Sequence, residues 1–536
     1  MAYNKRLIPI AQTGKYPAVL SEYLDGKLDG QQLYQHEPNL NGLAQAMGAR
    51  LQAAGKPRLD RDTLVNVLTE QYSSIELSGA ERDNITLLRK PTTFCVTTGH
   101  QLNLFSGPLY VPFKLMSAIN LCRQLKQRYP THDFVPIYWM ATEDHDKDEV
   151  DHFNLFGKKH QWHTDQTGPV GRFAWPPAED FWLALPQDLP MDAVEAYRNA
   201  KTWAAATRAL FHHWLGHLGL ICLDPDDVRL KRAFVSIALQ DALESATKPA
   251  HDAASARYEA LGNKAQVHAR PINLFYMDEV DGRMVRERLV REGDQWLVLN
   301  TDLSFDADAL RTHITSHPDH WSPNVVLRPL YQEAILPNIA YLGGPAEVAY
   351  WLQTADLFAL YKLPMPVVLP RALGQINTKA VLGRLQKANL RFEDLMLSAN
   401  QLKALILARQ AGNGQVTMHH EYQLINQAFA TMRSKANAAD PTLASFVDAQ
   451  EATVLKTLEN VEKRISKAME KRHETLITQA LNLRDKVFPN DGLQERSENI
   501  LAYLINNPGL WDELTAQLDP LAFALHVFDE QEQPVA

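Results

Sequence analysis

Between residues 143 and 152 the chain reads Glu143-Asp144-His145-Asp146-Lys147-Asp148-Glu149-Val150-Asp151-His152, six carboxylates and two imidazoles in ten positions. Histidine and carboxylate oxygens ligate divalent ions, so metal binding is one reading. Clustered like charges raise a carboxylate's pKa, so acid/base work or capture of an amine is a second. A solvated acidic loop capping the next helix is the third. Two glycine turns carry a different chemistry. Gly99-His100-Gln101 and Gly343-Gly344-Pro345-Ala346-Glu347 both stand where an apolar run gives way to a helix pattern. Glycine admits close backbone approach, and helix N-termini attract carboxylate or phosphate. Glu347 reads either as helix-dipole complementation or as an acceptor in a cleft. Arg328 and Arg371 each stand beside a proline, and arginine there suits two-pronged carboxylate recognition or an ordinary salt bridge.

These residues need elements to hold them. Phe94–Thr98 is a strand-forming run, followed by Gly99-His100-Gln101 and the loop Leu102-Asn103-Leu104-Phe105-Ser106-Gly107-Pro108. A helix pattern through Leu115, Ile119, Cys122 and Leu125 follows, then a second apolar run, Phe134–Ala141, that ends in the acidic cluster. Strand, loop, helix, buried strand and polar tip make a βαβ unit. Ligands of open α/β sheets bind beyond the carboxyl ends of the strands, so both polar clusters are expected to face one cleft.

The rest of the chain is read in segments. Residues 1–90 are expected to be mostly helical, with Ser78–Lys90 a connection; 91–153 form the first half of the α/β core; 154–190 are an irregular or β insertion. Residues 191–263 continue the core, with a strand at Leu220–Leu223 and a helix over Val228–Thr247. Residues 264–323 are a small β insertion with turns at Asp281-Gly282 and Glu292-Gly293-Asp294. Residues 324–376 return to the core, with a strand at Ile339–Leu342, a helix over Val348–Tyr361 and a strand at Pro366–Arg371. From 377 to 487 strand signals vanish. Apolar residues recur at Leu455, Leu458, Val461, Ile465, Met469, Leu476, Ala480 and Leu483, near a 3.5 period, which predicts a helical hairpin or coiled coil with Glu462 and Arg472 at inward positions. Residues 488–536 are expected to rejoin the core through a last strand at Ala524–Phe528.

At 536 residues with 45% hydrophobic and 22% charged residues, the composition is that of a globular protein of two or three units. The net charge of −9 argues against a nucleic-acid or anionic-membrane binder. Cys95, Cys122 and Cys222 lie in apolar runs with no CxxC pair, which suits a reducing cytoplasm rather than a disulfide framework or a thiolate zinc site. No signal peptide and no membrane span are expected. Neither GxxxxGK[ST] nor GxGxxG occurs.

Taken in order, the motifs resemble the BshC family, the cysteine ligases of bacillithiol biosynthesis. The resemblance rests on Thr97-Thr98-Gly99-His100-Gln101, Ser106-Gly107-Pro108-Leu109-Tyr110 with Lys114, and Glu143-Asp144-His145-Asp146-x-Asp148-Glu149. Arg328-Pro329-Leu330-x-Gln332-Glu333, Gly343 through Trp351, and Pro370-Arg371 extend it over essentially the whole chain. It implies a Rossmann-like parallel-sheet core with insertions, a helical coiled-coil domain used for homodimerisation, and amide formation between the carboxyl of cysteine and the amine of glucosaminyl-malate. A carboxylate needs activation for that, and ATP is the obvious source; no metal is expected. Glu143, Asp144, His145, Asp146, Asp148 and Glu149 are the expected catalytic set, handling the amine. Thr98, Gly99, His100, Gln101, Asn103, Gly107, Arg328, Gln332, Gly343, Gly344, Glu347, Tyr350, Trp351 and Arg371 are the expected substrate-binding set, holding malate, the cysteine carboxylate or phosphate. The competing readings are a metal-dependent amide hydrolase and a non-catalytic coiled-coil protein that binds a thiol metabolite.

Overall fold

In a computed structural model, which describes residues 3–14, 16–53, 59–175, 179–411 and 418–531, the chain divides into two units, Met1–Ile376 with Gln494–Ala536, and Asn377–Leu493. The first unit is built on five parallel strands in the spatial order Val367–Pro370, Asn338–Gly343, Thr93–His100, Asp133–Met140, Ile221–Leu223. All are buried along nearly their whole length, as strands covered on both faces must be, which is why they read as continuous apolar runs. The helix Tyr110–Arg128 crosses from Thr93–His100 to Asp133–Met140 and packs Ala118, Leu121, Cys122 and Leu125 against Phe94, Val96, Ile339 and Leu369. From the central Thr93–His100 strand the chain moves outward on one side and returns on the other. The order therefore reverses between Thr93–His100 and Asn338–Gly343, and such a reversal opens a crevice at the carboxyl ends of the strands.

Several local expectations change. Residues 1–90 are not all helix: Tyr3–Pro9 is a strand, paired antiparallel with Ala524–Glu530, and Leu373–Asn377 completes that three-stranded sheet. Its partner lies at the far end of the chain, so no local pattern announces it. Ser78–Lys90 is not a connection but holds the helix Gly79–Leu87, started by a reciprocal capping box in which the Glu81 N–H donates to the Ser78 hydroxyl and the Ser78 N–H to the Glu81 carboxylate. The segment after the acidic cluster is mixed, with a hairpin of His152–Leu155 and Lys158–Gln161 and a helix at Glu179–Leu183. The expected helix over Val228–Thr247 is interrupted into Val228–Lys231 and Val235–Glu244, and Thr247–Ala260 adds another. The helix expected over Val348–Tyr361 divides into Pro345–Leu352 and Ala355–Leu360. Gln353 and Thr354 spend their side chains on Ser255, Val267 and the Trp351 carbonyl at the break. The β insertion is a five-stranded antiparallel sheet, Ser304–Phe305, Gln295–Val298, Arg283–Glu292, Leu274–Val280, Trp321–Pro323. Its first turn has positive φ at both Asp281 and Gly282, as a tight hairpin requires.

The second unit is helical: Lys379–Lys387, Ala399–Ala411, His419–Ala439, Ala444–Arg472 and Glu474–Val487. The two longest form a hairpin through Pro441–Leu443, and neither has a single buried residue. Leu455, Leu458 and Met469 are half-buried, Val461 and Ile465 exposed, whereas Ala480 and Leu483 of the following helix are buried. Glu462 occupies an inward position because it accepts from the Met418 N–H at 3.2 Å and the Tyr422 hydroxyl at 3.4 Å. Arg472 is exposed. No helix among the described residues is long and apolar enough to cross a membrane.

Candidate active site

Three adjoining hollows open at the carboxyl ends of the parallel strands. The first, about 370 Å³, lies at the point of strand-order reversal, between Gly99 and His100 on one side and Tyr341 and Gly344 on the other. The second, about 620 Å³, shares Trp139, Ala141, Val325 and Arg328 with the first and is closed by Glu143, Asp144 and residues of the β insertion. The third, about 260 Å³, shares Gln101 and Tyr110 with the first and is lined by Asn103, Gly107, Glu149 and His152.

Lys114, on the helix that follows the first strand, is almost wholly buried; it donates to the Gly99 carbonyl at 2.7 Å and lies 2.5 Å from the Glu347 carboxylate. Glu347 also accepts from the Gly344 N–H at 2.6 Å and the Tyr341 hydroxyl at 2.7 Å. Burial pushes the Glu347 carboxyl up, but the Lys114 charge and these hydrogen bonds outweigh it and hold the group below its ordinary value. Glu347 thus both caps its helix and anchors the floor of the hollow. Gly99 sits in a close approach: a Cβ there would stand 3.3 Å from the Tyr341 hydroxyl and 3.4 Å from the Arg328 guanidinium, so both would have to give by a few tenths of an ångström.

Arg328 is the wall between the first two hollows. It donates to the Gln332 amide oxygen at 3.1 Å and the Tyr350 hydroxyl at 3.4 Å, and lies over the rings of Tyr341 and Trp139. Among the described residues no carboxylate pairs with it. Arg496, exposed at the rim of the first hollow, likewise has no carboxylate partner among them. Arg371 is different. Its two terminal nitrogens grip Glu495 at 2.8 and 2.6 Å, with both side chains buried. The salt-bridge reading holds there; one terminal nitrogen also donates to the Ala372 carbonyl at 3.0 Å, and the Nε is buried without a partner. His100 shares a 3.2 Å hydrogen bond with the Tyr110 hydroxyl. Burial, with Lys114 nearby, lowers its pKa to about 3, so its imidazole is neutral at physiological pH.

The side chains of the acidic cluster diverge in space. Glu143 is neutralised by the buried Lys231, which also donates to the Trp321 carbonyl. The Gln101 amide donates to both Asp144 and Glu149 at 2.8 Å, tying the glycine turn to the acidic loop. Asp151 pairs with His152 and Gln161 on the neighbouring hairpin. Asp146 and Asp148 are exposed and line none of the three hollows; burial and then the neighbouring Glu149 and Asp144 raise the Asp146 pKa. His145 also lies outside their walls. Its Nδ1 accepts from Arg286 at 2.8 Å, which fixes a neutral ring with the proton on Nε2, and burial lowers its pKa. Among the described residues no three His, Cys, Asp or Glu side chains converge closely enough to hold a metal ion.

Comparison with known proteins bears on this geometry. The family description "Bacillithiol biosynthesis BshC, N-terminal Rossmann-like domain" matches residues 4–372, and "Bacillithiol biosynthesis BshC, C-terminal coiled-coil domain" matches residues 375–530. The chain belongs to the BshC family. Proteins named "Putative cysteine ligase BshC" from Cytophaga hutchinsonii and Flavobacterium johnsoniae are 37% and 35% identical to it. The first match covers 98% of this chain and 99% of the relative, the second 96% and 98%. A more distant one, from Shouchella clausii, is 28% identical over 90% of this chain and 92% of its own.

In this BshC chain the first hollow gathers Gly99, His100, Gln101, Arg328, Gly344, Glu347, Tyr350 and Arg371 from the expected binding set. Asn103 and Gly107 fall in the third hollow with Glu149, and Glu143 and Asp144 in the second. The others act from behind. The Thr98 hydroxyl bonds the Leu342 carbonyl, Gln332 holds Arg328, Gly343 pairs through its carbonyl with the Arg371 N–H, and Trp351 stacks on Tyr341 with ring centroids 4.5 Å apart. Sequence reading left Lys231, Arg286 and Arg496 out of the site. Lys231 and Arg286 sit in ordinary helix and strand patterns, and only the packing turns them toward the cleft.

Proposed function

We propose that this chain joins the carboxyl of L-cysteine to the amine of glucosaminyl-malate, the last step of bacillithiol biosynthesis. The relatives' name supplies the reaction class. The observation that carries the assignment is Arg328, a guanidinium without a carboxylate partner among the described residues, set between two hollows at the strand-order reversal. An arginine so placed suits a carboxylate-bearing pair of substrates brought edge to edge. Asp144 on the second hollow and Glu149 on the third, both held by Gln101 of the first, offer carboxylates for the incoming ammonium. One of them takes its proton before attack on the acyl carbon. His100 is a poor proton acceptor at neutral pH, which leaves that step to a carboxylate. The carboxyl oxygen that leaves must be converted to a better leaving group, and ATP, giving AMP or ADP, is the proposed agent; Arg328 and Arg496 at the first hollow suit the charge that develops.

The second part of the reading is a homodimer through the helical unit, since its two longest helices have no fully buried residue and leave Val461 and Ile465 exposed. The deciding experiment for the reaction is turnover of purified protein with cysteine, glucosaminyl-malate and ATP, with the thiol product, AMP and ADP all quantified. Folded protein that yields no amide from the three together would overturn the assignment.

A further inference from the structure

We infer that the β insertion is a substrate-binding element: Arg286 makes the second hollow the subsite for a carboxylate-bearing arm, which on the reading above is the malyl group. Arg286 lies in the insertion's Arg283–Glu292 strand, outside every motif that marks the core, yet its side chain lines the second hollow together with Arg328. Its guanidinium rests 3.9 Å over the Phe275 ring. It donates to the Ser322 hydroxyl at 3.2 and 3.3 Å, the Pro323 carbonyl at 3.1 Å and His145 Nδ1 at 2.8 Å. Every one of these acceptors is uncharged. Among the described residues no carboxylate lies within ion-pair distance of Arg286, so a half-buried positive charge faces the hollow uncompensated. Of the acids on the hollow's wall, Glu143 pairs with Lys231, and Asp144, oriented by Gln101, stays beyond ion-pair distance of Arg286.

Two such arginines on one hollow of about 620 Å³, with Arg270 also on its wall, favour an anion of more than one oxygen-bearing group. A dicarboxylate and a nucleotide phosphate share that chemistry. The malyl arm is favoured because the hollow is the larger of the two that Arg328 divides, and a sugar-linked diacid is the bulkier acid of the reaction. Arg286 is held rigid by the insertion's edge strand Trp321–Pro323 through Ser322 and Pro323, so the insertion delivers a preorganised charge.

Calorimetric titration with L-malate and, separately, ATP tests this in the full-length protein. Arg286→Met should weaken L-malate at least tenfold and leave ATP within about twofold. Arg286→Lys, which keeps the charge, should recover part of the loss, and Ser322→Ala, which frees the guanidinium without removing it, should weaken malate by a smaller factor. Unchanged malate affinity in Arg286→Met, no malate binding by the wild type at millimolar concentration, or loss of ATP rather than malate would each overturn the inference. Because binding is read without turnover, a wild type that binds malate through Arg286 but makes no amide would refute the reaction and leave the subsite standing.

Discussion

Arg328→Lys keeps the positive charge between the two hollows and removes the planar fork. Of the five N–H groups of an arginine, two are used by Gln332 and Tyr350, which leaves three for a ligand. A lysine cannot keep both protein contacts and still present two parallel donors. Loss of a charge-assisted contact of this kind costs about 1.5–3 kcal/mol, which at about 1.4 kcal/mol per decade is roughly a tenfold to 150-fold fall in kcat/KM. The protein side of the change is smaller. Gln332 loses one donor in a buried setting, a cost of about 1 kcal/mol, or about 2–4 °C in Tm. The assay is steady-state amide formation with each substrate varied in turn, beside a thermal melt of the same preparation. A variant with wild-type KM and kcat for cysteine, glucosaminyl-malate and ATP would refute the placement of Arg328 at the substrates. A melt lowered by 10 °C or more would show that its work is structural.

Other outcomes follow from the same geometry. Arg371→Met strands the buried Glu495, so it should destabilise the protein by about 3–5 kcal/mol in urea titration; an unchanged midpoint with a raised KM would mean the guanidinium serves substrate instead. Asp144→Asn should lower kcat by about 10²-fold or more with little change in Tm, whereas Asp146→Asn, exposed and outside the hollows, should stay within about twofold; equal losses in both variants would defeat the division of the cluster drawn here. His100 has a folded-state pKa depressed to about 3, so the unfolded chain binds its proton first. Its contribution is full above the ordinary histidine range and drains away as pH falls from about 6.5 toward 3. His100→Gln should therefore flatten the decline in stability between pH 7 and pH 5, and parallel curves for variant and wild type would count against a buried neutral imidazole. Light scattering should give twice the 60.5 kDa chain mass, falling to the monomer in Val461→Asp with Ile465→Asp; a wild-type monomer at micromolar concentration ends the dimer reading.

How much of this was legible beforehand follows from the range of each interaction. The buried strands Thr93–His100 and Asp133–Met140 and the helix between them announce themselves, because burial on both faces forces a continuous apolar run and the helix a three-to-four period. The glycine turns were legible for the same reason: backbone approach leaves glycine at fixed places. The helix Gly79–Leu87 carried its own start signal, Ser78 with Glu81 three residues on, which should have outweighed the polar look of the segment. Partner choice was not legible. Arg371 and Arg328 look alike in sequence, each beside a proline, and only the approach of Glu495 from 124 positions away decides which one is spent. Arg286 and Lys231 stand in unremarkable local patterns and acquire meaning from Ser322, Trp321 and Glu143, none of them neighbours in sequence. The spread of the acidic cluster was not legible either, because adjacency along the chain says little about which hollow, or which solvent face, each side chain meets.

The pairing of Tyr3–Pro9 with Ala524–Glu530 has a consequence for how the chain is made. Arg6 and Asp529 lie 2.8 Å apart in the finished sheet but 523 positions apart along the chain. At a ribosomal rate of 5–20 residues per second the first strand waits roughly 25–100 s for its partner. Throughout that interval the growing polypeptide carries an unpaired edge, while the helical unit between them is synthesised. The Tyr3–Pro9 stretch is short and places Lys5 and Arg6 at its middle, and charge on an open edge is a known guard against pairing with the wrong chain. Lys5 and Arg6 thus place charge on that edge while it is open; in the finished sheet Arg6 pairs with Asp529 and Lys5 donates to the Gln517 carbonyl.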